Sequence, residues 1–345
     1  MRRVALVANS RGGYPIRDVV AHRVGGAGQV SHAVLCGTPN RGVYDWPENR
    51  NREFNAHSDL LRRLNGGETD VVPGTAVLTL RSDGNDLFAQ PRAVWSGTPD
   101  RPTGTDVDGP ELRGARNLVL PGLDHREVAY HPRAFAEIFA FVSGRAPDRL
   151  EVVAEARPAL DGLVTGTDAG GAPTNRPVEG AAVAVFRTDP ESGARIGEAP
   201  LHRRVTGADG RWGPVAVAPD WTLEFVLEAP GQPATHIYRS PFPRSSGVVH
   251  LRSARSLTEA DRAAGGVLLM TRPRGYFGVP RDVLLLDGRT PPEVPRGIPR
   301  VATATLRLPA ADIGRPVVAL FNEERVVARA WPAAENRIAV AELTG

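Results

Sequence analysis

The first apolar run of the chain leads into the short sequence Asn-Ser-Arg-Gly-Gly, in which a serine is followed by an arginine and two glycines. Residues 4–8, VALVA, are typical of a buried strand, and the letters NSRGG follow at once. A serine on a sharp turn between a strand and a helix crowds the residues two before and two after it, and here these are alanine and glycine. The segment therefore fits a variant of the G-x-S-x-G nucleophile elbow, which would expose Ser10 and direct the Arg11 N–H at an oxyanion.

Strand, loop and helix patterns alternate over the first 147 residues. Apolar runs typical of strands cover 4–8, 30–35, 76–80 and 117–120, and helical spacing of apolar residues covers 16–24, 59–64 and 132–142. Ser58 is placed to cap the second of these helices, and Gly144 follows the third. This alternation predicts a mostly parallel α/β sheet.

After about residue 150 the pattern changes to short alternating runs rich in glycine and proline, which favour β-structure. A short helix is predicted in SLTEADRAAGG, where Ser256 and Glu259 have the spacing of a capping box. We therefore predict three domains, an α/β domain over 1–147 and two all-β domains over 148–255 and 256–345.

The partners that a nucleophilic serine needs follow later strands of the predicted sheet. A serine hydroxyl is a poor nucleophile unless a base removes its proton. Asp83 and Asp86 follow the third predicted strand, and His125 follows the fourth. Because the carboxyl ends of parallel strands share one edge of a sheet, these groups are expected to meet Ser10 there, in the chain order serine, acid, histidine of α/β-hydrolases.

Two of these assignments have rivals. We favour Asp86 as the acid, because LFAQP turns the chain back behind it, whereas Asp83 is placed to cap the turn at Gly84. We favour His125 as the base over His131, which directly precedes a proline and a predicted helix. Both alternatives stay open at this level.

Several segments resemble α/β-hydrolase lipases: ANSRGG, CGTPNRGV, FNAHSDLLRRLNGG, LRSDGNDLFAQP and PGLDHREVAYHP. Two later segments are similar to the transthyretin-like β-sandwich of archaeal-type lipases with C-terminal lipid-binding β domains: NRPVEGAAVAVFRTDPESGARIG and TGADGRWGP. The last 80 or so residues resemble the β-barrel-like end of those lipases. The resemblance implies a partial α/β-hydrolase fold followed by two all-β domains. It also implies a carboxylic ester hydrolase acting on lipids, with Ser10 as nucleophile, His125 as base and Asp86 orienting the imidazole.

The same resemblance implies several strands before the nucleophile strand, one of which supplies a second oxyanion amide. Only nine residues precede Ser10 here. We therefore expect an incomplete hydrolase with an open strand edge at Val4–Ala8. Its activity is expected to be low, because the loss of one oxyanion donor costs about 10²–10³ in rate.

Composition excludes other classes of function. The isoelectric point is about 9.5, but the net charge is only +3, and the 42 basic residues are all arginines scattered among 39 acids, so we expect no nucleic-acid partner. Cys36 is the only cysteine, which excludes an intrachain disulfide and a multi-cysteine metal site, and we expect no cofactor.

No apolar run approaches the roughly 20 residues of a membrane span. MRRVALVA is too short for a signal peptide and is interpreted as a strand, so secretion would need a leader upstream, and the compartment and oligomeric state stay open.

The main hypothesis is thus a serine lipase or esterase. The alternatives are a non-catalytic lipid- or polymer-binding protein with a vestigial hydrolase domain, and a polyester depolymerase. The β domains carry no acid–base constellation, so their deletion is expected to spare hydrolysis of short soluble esters. Trp212, Trp221 and Tyr238 form either a binding face or core, and Tyr44–Asn55 is either a lid or a plain surface loop.

Overall fold

The computed structural model describes residues 3–22, 26–92, 101–168 and 172–344, so the predicted end of the first helix at Val24 lies outside the described residues. The chain forms two compact units. The first contains the chain up to Leu150 together with two later segments, Arg274–Arg281 and Pro295–Arg300. The second contains the remainder from Glu151 onwards.

A four-stranded parallel sheet forms the centre of the first unit. Its strands lie side by side in chain order: β1 (Val4–Asn9), β2 (Val30–Cys36), β3 (Ala76–Arg81) and β4 (Arg116–Val119). The predicted parallel sheet is thus confirmed. No strand boundary differs from its predicted position by more than one residue. Among these strands β1 is at an edge, and its Val4 and Val7 side chains are each 50% exposed.

The helices of the first unit are α1 (Gly13–His22), α2 (Gly26–Gln29), α3 (Asp59–Leu64) and α4 (Pro132–Ser143). The predicted caps are confirmed. The Ser58 hydroxyl accepts a hydrogen bond from the Leu61 N–H at 3.2 Å, and Gly144 ends α4 with a φ of 75°. Helix α1 begins three residues before its predicted start, because it continues directly from a 3₁₀ turn at Ser10–Gly12.

Helices cover both faces of this sheet. Because side chains alternate between the two faces along each strand, neighbouring residues of β2 contact different helices. On one face, Leu35 lines a cavity with Val20 of α1. On the other, Val34 and Leu78 form a buried cluster with Ala134 of α4. The result is a three-layer α/β arrangement, and its loops leave the carboxyl ends of the strands along one edge.

Apart from one short α-helix and short 3₁₀ turns, the regular elements of the second unit are strands. Its elements are β5 (Ala159–Leu160), β6 (Thr165–Thr167), β7 (Pro173–Pro177), β8 (Ala182–Thr188), β9 (His202–Val205), β10 (Val215–Ala216), β11 (Thr222–Glu228), β12 (Ala234–Arg239), α5 (Glu259–Ala263), β13 (Gly266–Thr271), β14 (Leu284–Leu286), β15 (Thr303–Leu308), β16 (Pro316–Phe321), β17 (Glu324–Arg329) and β18 (Arg337–Glu342). A seven-stranded sheet has the order β15-β13-β18-β12-β11-β8-β9, and β14-β16-β17 form a second sheet.

This seven-stranded sheet crosses the domain boundary that was predicted between residues 255 and 256. Strand β18 pairs in parallel with β12 along six residues and with β13 along four. The structure thus differs from the prediction of two separate β domains. The physical reason is that β12 would otherwise present an unpaired edge, and the strand that covers it lies about 100 residues later.

Two finer predictions about this unit are also settled. Helix α5 is capped by Thr258, whose capping-box partner is Asp261, so the predicted pair Ser256 and Glu259 is wrong. Trp212 is fully buried, Tyr238 is 2% exposed, and Trp221 packs partly buried against the core. These aromatic residues therefore belong to the core rather than to a binding face.

Candidate active site

The turn after β1 has the shape that the sequence predicts. Ser10 has a φ of 53°, in the left-handed region that residues other than glycine rarely adopt. A Cβ placed on Gly12 would lie 3.2 Å from the Ala8 Cβ, closer than an ordinary contact. The small residues on either side of the serine therefore permit the tight turn that presents its hydroxyl at the sheet edge.

Three side chains from three strand ends form one hydrogen-bonded line. The Ser10 Oγ lies 2.8 Å from Nε2 of His125, and Nδ1 of the same ring lies 2.9 Å from Oδ2 of Asp86. His125 is 4% and Asp86 2% exposed. The other carboxylate oxygen of Asp86 accepts a hydrogen bond from the Phe88 N–H at 2.8 Å, which fixes the carboxylate. The structure thus brings together Ser10, Asp86 and His125.

The orientation of the imidazole determines what it can do. A carboxylate only accepts hydrogen bonds, so the Nδ1–H of His125 donates to Asp86 and the lone pair of Nε2 faces the Ser10 hydroxyl. The Phe88 ring packs edge-on against the imidazole, with centroids 4.6 Å apart. The arrangement can therefore take a proton from Ser10 at a fixed geometry.

The rival residues occupy other roles. The Asp83 carboxylate accepts hydrogen bonds from the Gly122 N–H at 3.1 Å and from the Asn85 side chain at 3.0 Å. Burial acts to raise the pKa of Asp83, but these hydrogen bonds hold it below its ordinary value. His131 accepts a hydrogen bond from the Arg133 N–H at 3.2 Å and caps α4. Asp83 thus ties the two loops together, and His131 begins a helix.

Two further residues support the histidine, and sequence reasoning did not single them out. The Asn9 side-chain amide donates to the carbonyls of Cys36 at 3.0 Å and His125 at 3.1 Å, which ties the ends of β1 and β2 to the histidine loop. Gly37 has a φ of 56°, and a Cβ there would lie 3.2 Å from the His125 carbonyl oxygen and 3.3 Å from its Nδ1. Their only sequence signal is their position, directly before Ser10 and directly after the second strand.

The segment Tyr44–Asn55, which was predicted as a lid or a surface loop, has a small apolar core of its own. Tyr44 is 2% and Trp46 4% exposed, and both cluster with Phe88. The Asn55 side-chain amide donates to the Trp46 carbonyl at 2.6 Å, which closes the segment. It therefore packs against the same phenylalanine that contacts His125.

Other reactive groups near the site are inert or absent. Cys36 is fully buried, and burial raises the pKa of its thiol to about 12, so it does not compete with Ser10 as a nucleophile. Among the described residues, no group of three or more histidine, cysteine, aspartate and glutamate side chains could hold a metal ion. In the same part of the chain, no helix is long and apolar enough to cross a membrane.

The structure thus joins a strand-end serine in a left-handed turn to a histidine and an aspartate from later strand ends of a parallel sheet, an order and placement that are typical of α/β-hydrolase sites. Comparison with known families gives a match in the second unit, where residues 158–256 fit the family described as lipase C-terminal domain. The match confirms the predicted resemblance to lipases, and the archaeal type stays a prediction. No significant match was found among curated proteins.

Three of the solved structures that this chain resembles are two lipases and a phospholipase. Lipase B from Aspergillus fumigatus shares 18% identity with a TM-score of 0.29, covering 43% of this chain and 38% of its own length. Phospholipase PlaB from Legionella pneumophila shares 14% identity with a TM-score of 0.27, over 73% and 77% of the two chains. The lipase BlEst2 from Bacillus licheniformis, in its propeptide form, shares 11% identity with a TM-score of 0.30, over 65% and 80%. The chain thus spans well under half the length of the Aspergillus lipase.

Proposed function

We propose that the protein is a carboxylic ester hydrolase of the lipase or esterase type, which works through an acyl-enzyme formed on Ser10. The observation that carries this proposal is the hydrogen-bonded line from Ser10 through His125 to Asp86, with heavy-atom distances of 2.8 and 2.9 Å. These distances lie within the range of about 2.6–3.2 Å over which a base can take a proton.

In the first step the Ser10 oxygen attacks the carbonyl carbon of the ester while its proton moves to Nε2 of His125. The carbonyl oxygen becomes an oxyanion, and Asp86 stabilises the imidazolium through the Nδ1–H. The oxyanion collapses, the bond to the alcohol oxygen breaks, and His125 returns the proton to the leaving alcohol. The acyl group is then bound to Ser10.

The second step uses the same groups on water. His125 removes a proton from a water molecule, which attacks the acyl carbon and forms a second oxyanion. The bond to the Ser10 oxygen breaks, the proton returns to that oxygen, and a carboxylic acid is released. The buried Asp86 keeps the imidazole in one tautomer throughout, which both steps require.

The proposed oxyanion donor is the backbone N–H of Arg11. Amides in the first turn of a helix have no acceptor within that helix, and Arg11 lies in the 3₁₀ turn that leads into α1. Its side chain extends outward, 70% exposed, and pairs with Glu53 at 2.7 Å, so the amide can serve the site independently of the guanidinium. One such donor is worth about 10²–10³ in rate.

The proposed substrate is a lipid or another carboxylic ester, which the protein binds either in solution or at a lipid–water interface. The match of residues 158–256 to a lipase C-terminal domain supports a lipid ester over other acyl compounds. The chemistry itself requires only an ester carbonyl that can approach Ser10.

The test is covalent labelling of the full chain with a fluorophosphonate probe, beside turnover of a p-nitrophenyl butyrate substrate. We expect Ser10→Ala to abolish both signals, and Ser192→Ala, which removes a hydroxyl that donates to Asp189 at 2.8 Å in the second unit, to retain both. Labelling that persists in Ser10→Ala would contradict the assignment of the nucleophile. Absence of labelling and turnover in the wild type would favour a non-catalytic binding protein.

A further inference from the structure

The loop that carries His125 is bound by a segment that lies about 150 residues later in the chain. This segment, Arg274–Arg281, belongs to the same compact unit as the parallel sheet. The N–H of Tyr276 donates to Oδ2 of Asp124 at 2.6 Å. The guanidinium of Arg126 lies over the Tyr276 ring, 4.4 Å from its centroid. The segment therefore contacts the residues on both sides of His125.

Arg281 holds the loop and the segment together. Its Nη1 lies 2.7 Å from Oε2 of Glu127, while its Nη2 donates to the Tyr276 carbonyl at 2.9 Å and lies 3.6 Å from Oδ2 of Asp124. Asp124 is fully buried and Glu127 is 6% exposed. The Arg281 guanidinium thus contacts two buried carboxylates at once, and a buried carboxylate is costly to keep ionised unless it is paired and hydrogen-bonded.

The same two carboxylates shape the backbone around the histidine. Asp124 accepts hydrogen bonds from the N–H groups of Arg126 at 2.8 Å and Glu127 at 3.0 Å, and Glu127 accepts one from the Asp124 N–H at 2.6 Å. These reciprocal bonds fold the chain tightly at His125. The geometry that points the imidazole at Ser10 therefore depends on both carboxylates staying in place.

The segment is itself anchored, so it can act as a fixed support. Phe277 is fully buried. The Val279 N–H donates to the Pro295 carbonyl at 3.0 Å, and the Gly297 N–H donates to the Val279 carbonyl at 2.8 Å. Arg274–Arg281 and Pro295–Arg300 thus brace one another within the first unit.

We propose that Arg281 is a positioning residue for His125, through its contacts with Asp124 and Glu127. The proposal rests on the proposed ester hydrolysis, because it is the base of that reaction that Arg281 positions. It also revises an expectation from the sequence. A chain that ends before residue 256 lacks this support, so loss of the C-terminal part is expected to impair hydrolysis even of short soluble esters.

The kinetic test compares variants of the full chain with p-nitrophenyl butyrate. We expect Arg281→Ala to lower kcat by about 10–100-fold with KM changed less than about twofold, because a small displacement of a catalytic base slows the chemical step. Arg281→Lys keeps the positive charge but not the forked guanidinium that contacts both carboxylates, and its kcat is expected to lie between those of Arg281→Ala and the wild type. The matched control is Arg315→Ala, which removes a similar two-pronged pair with Asp287 at 2.7 and 2.8 Å in the second unit and is expected to leave kcat unchanged.

Hydrogen exchange provides a readout that does not depend on activity. In Arg281→Ala, amides of residues 121–131 are expected to exchange faster while those of β2 and β3 do not change. Faster exchange throughout the first unit would show a merely structural role, and unchanged exchange in the loop or an unchanged kcat would likewise overturn the proposal. If the wild type lacks turnover that depends on Ser10, the proposed function fails, and the exchange of this loop still decides whether Arg281 holds it.

Discussion

Within the described part of the chain there are two buried histidine–carboxylate pairs, one in each unit, and only the pair in the first unit contacts a serine. In the first unit, Nδ1 of His125 lies 2.9 Å from Asp86. In the second, Nδ1 of His236 lies 2.7 Å from Glu224, and both residues are almost fully buried. Judged by this contact alone, the two pairs are equivalent.

What surrounds the two pairs differs completely. Glu224 is also held by Arg195 at 2.6 and 3.1 Å, and the His236 ring stacks on Trp331 with centroids 4.0 Å apart. Both members of this pair lie within neighbouring strands, β11 and β12, rather than on loops at strand ends. Burial, assisted by Arg195 and Arg337 and opposed by Glu224, lowers the pKa of His236.

A histidine–carboxylate contact does not by itself make a catalytic base. In the first unit the loops carry the pair to the edge of the sheet where a strained turn presents Ser10. In the second unit, among the residues that the structure describes, Nε2 of His236 has no hydrogen-bond partner, and an arginine shares its carboxylate. We therefore expect the first pair to serve chemistry and the second to serve stability.

The largest difference between the two pairs is expected when each histidine is removed in turn. We expect His125→Ala to lower kcat for a p-nitrophenyl ester by about 10⁴-fold or more, because the serine then has no base. We expect His236→Ala to leave kcat within about twofold. The measurement is steady-state turnover of both purified variants at pH 8, with far-UV circular dichroism to show that each is folded. Comparable losses in the two would contradict the distinction.

Substitution of the carboxylate that contacts His125, Asp86, is expected to give the next largest loss of kcat. Asp86→Asn keeps the shape but no longer fixes the tautomer of His125, so kcat is expected to fall by about 10⁴-fold. The neighbouring Asp83→Asn is the matched control, and its loss is expected to stay below about tenfold, because Asp83 ties loops together without accepting from the imidazole. If the Asp83 variant is the more damaged of the two, the assignment of the acid is wrong.

The requirement for free space beside the His125 imidazole can be tested with a substitution at Gly37. An alanine there would bring its Cβ within 3.3 Å of Nδ1 of His125 and would also strain a backbone with a φ of 56°. We expect kcat to fall by about 10–100-fold, as for other small displacements of catalytic groups. Gly231→Ala is the control, because Gly231 has a φ of 72° but open space around it. An equal loss in both variants would indicate that backbone strain alone is responsible.

Local patterns in the sequence were enough to predict the line of three residues and the sheet that carries it. Ser10 is marked by the small residues around it, and Asp86 and His125 by their positions after apolar runs. The support around them could not be predicted, because Arg281 meets Glu127 across 154 residues and no local pattern marks either one. The seven-stranded sheet that crosses the predicted domain boundary was missed for the same reason, since β18 pairs with β12 only in the folded chain.

The role of the second pair in stability can be tested at its carboxylate. Glu224→Gln leaves Arg195 and His236 without their anion, and breaking a buried ionic network of this kind costs about 3 kcal/mol. We expect the free energy of unfolding of the second unit to fall by that amount, measured from amide exchange in β11 and β12 under increasing urea. Esterase activity at low temperature is expected to be unchanged. Unaltered stability would show that the network is replaced without loss by neutral hydrogen bonds.

The smallest expected effect is a dependence of stability on pH that originates at His236. Its pKa is lowered in the folded protein, so below about 6.5 the unfolded chain binds a proton that the folded chain does not. Stability of the second unit should therefore fall on acidification from pH 7.5 to 5.5, by at most about 1.4 kcal/mol for each pH unit below 6.5. Glu224, whose pKa is lowered, stays ionised in this window despite its burial, owing to His236 and Arg195. His236→Gln cannot take up the proton, so its unfolding free energy should fall less steeply over the same range. A steeper fall in the variant than in the wild type would contradict this origin, because it would place the titrating group elsewhere.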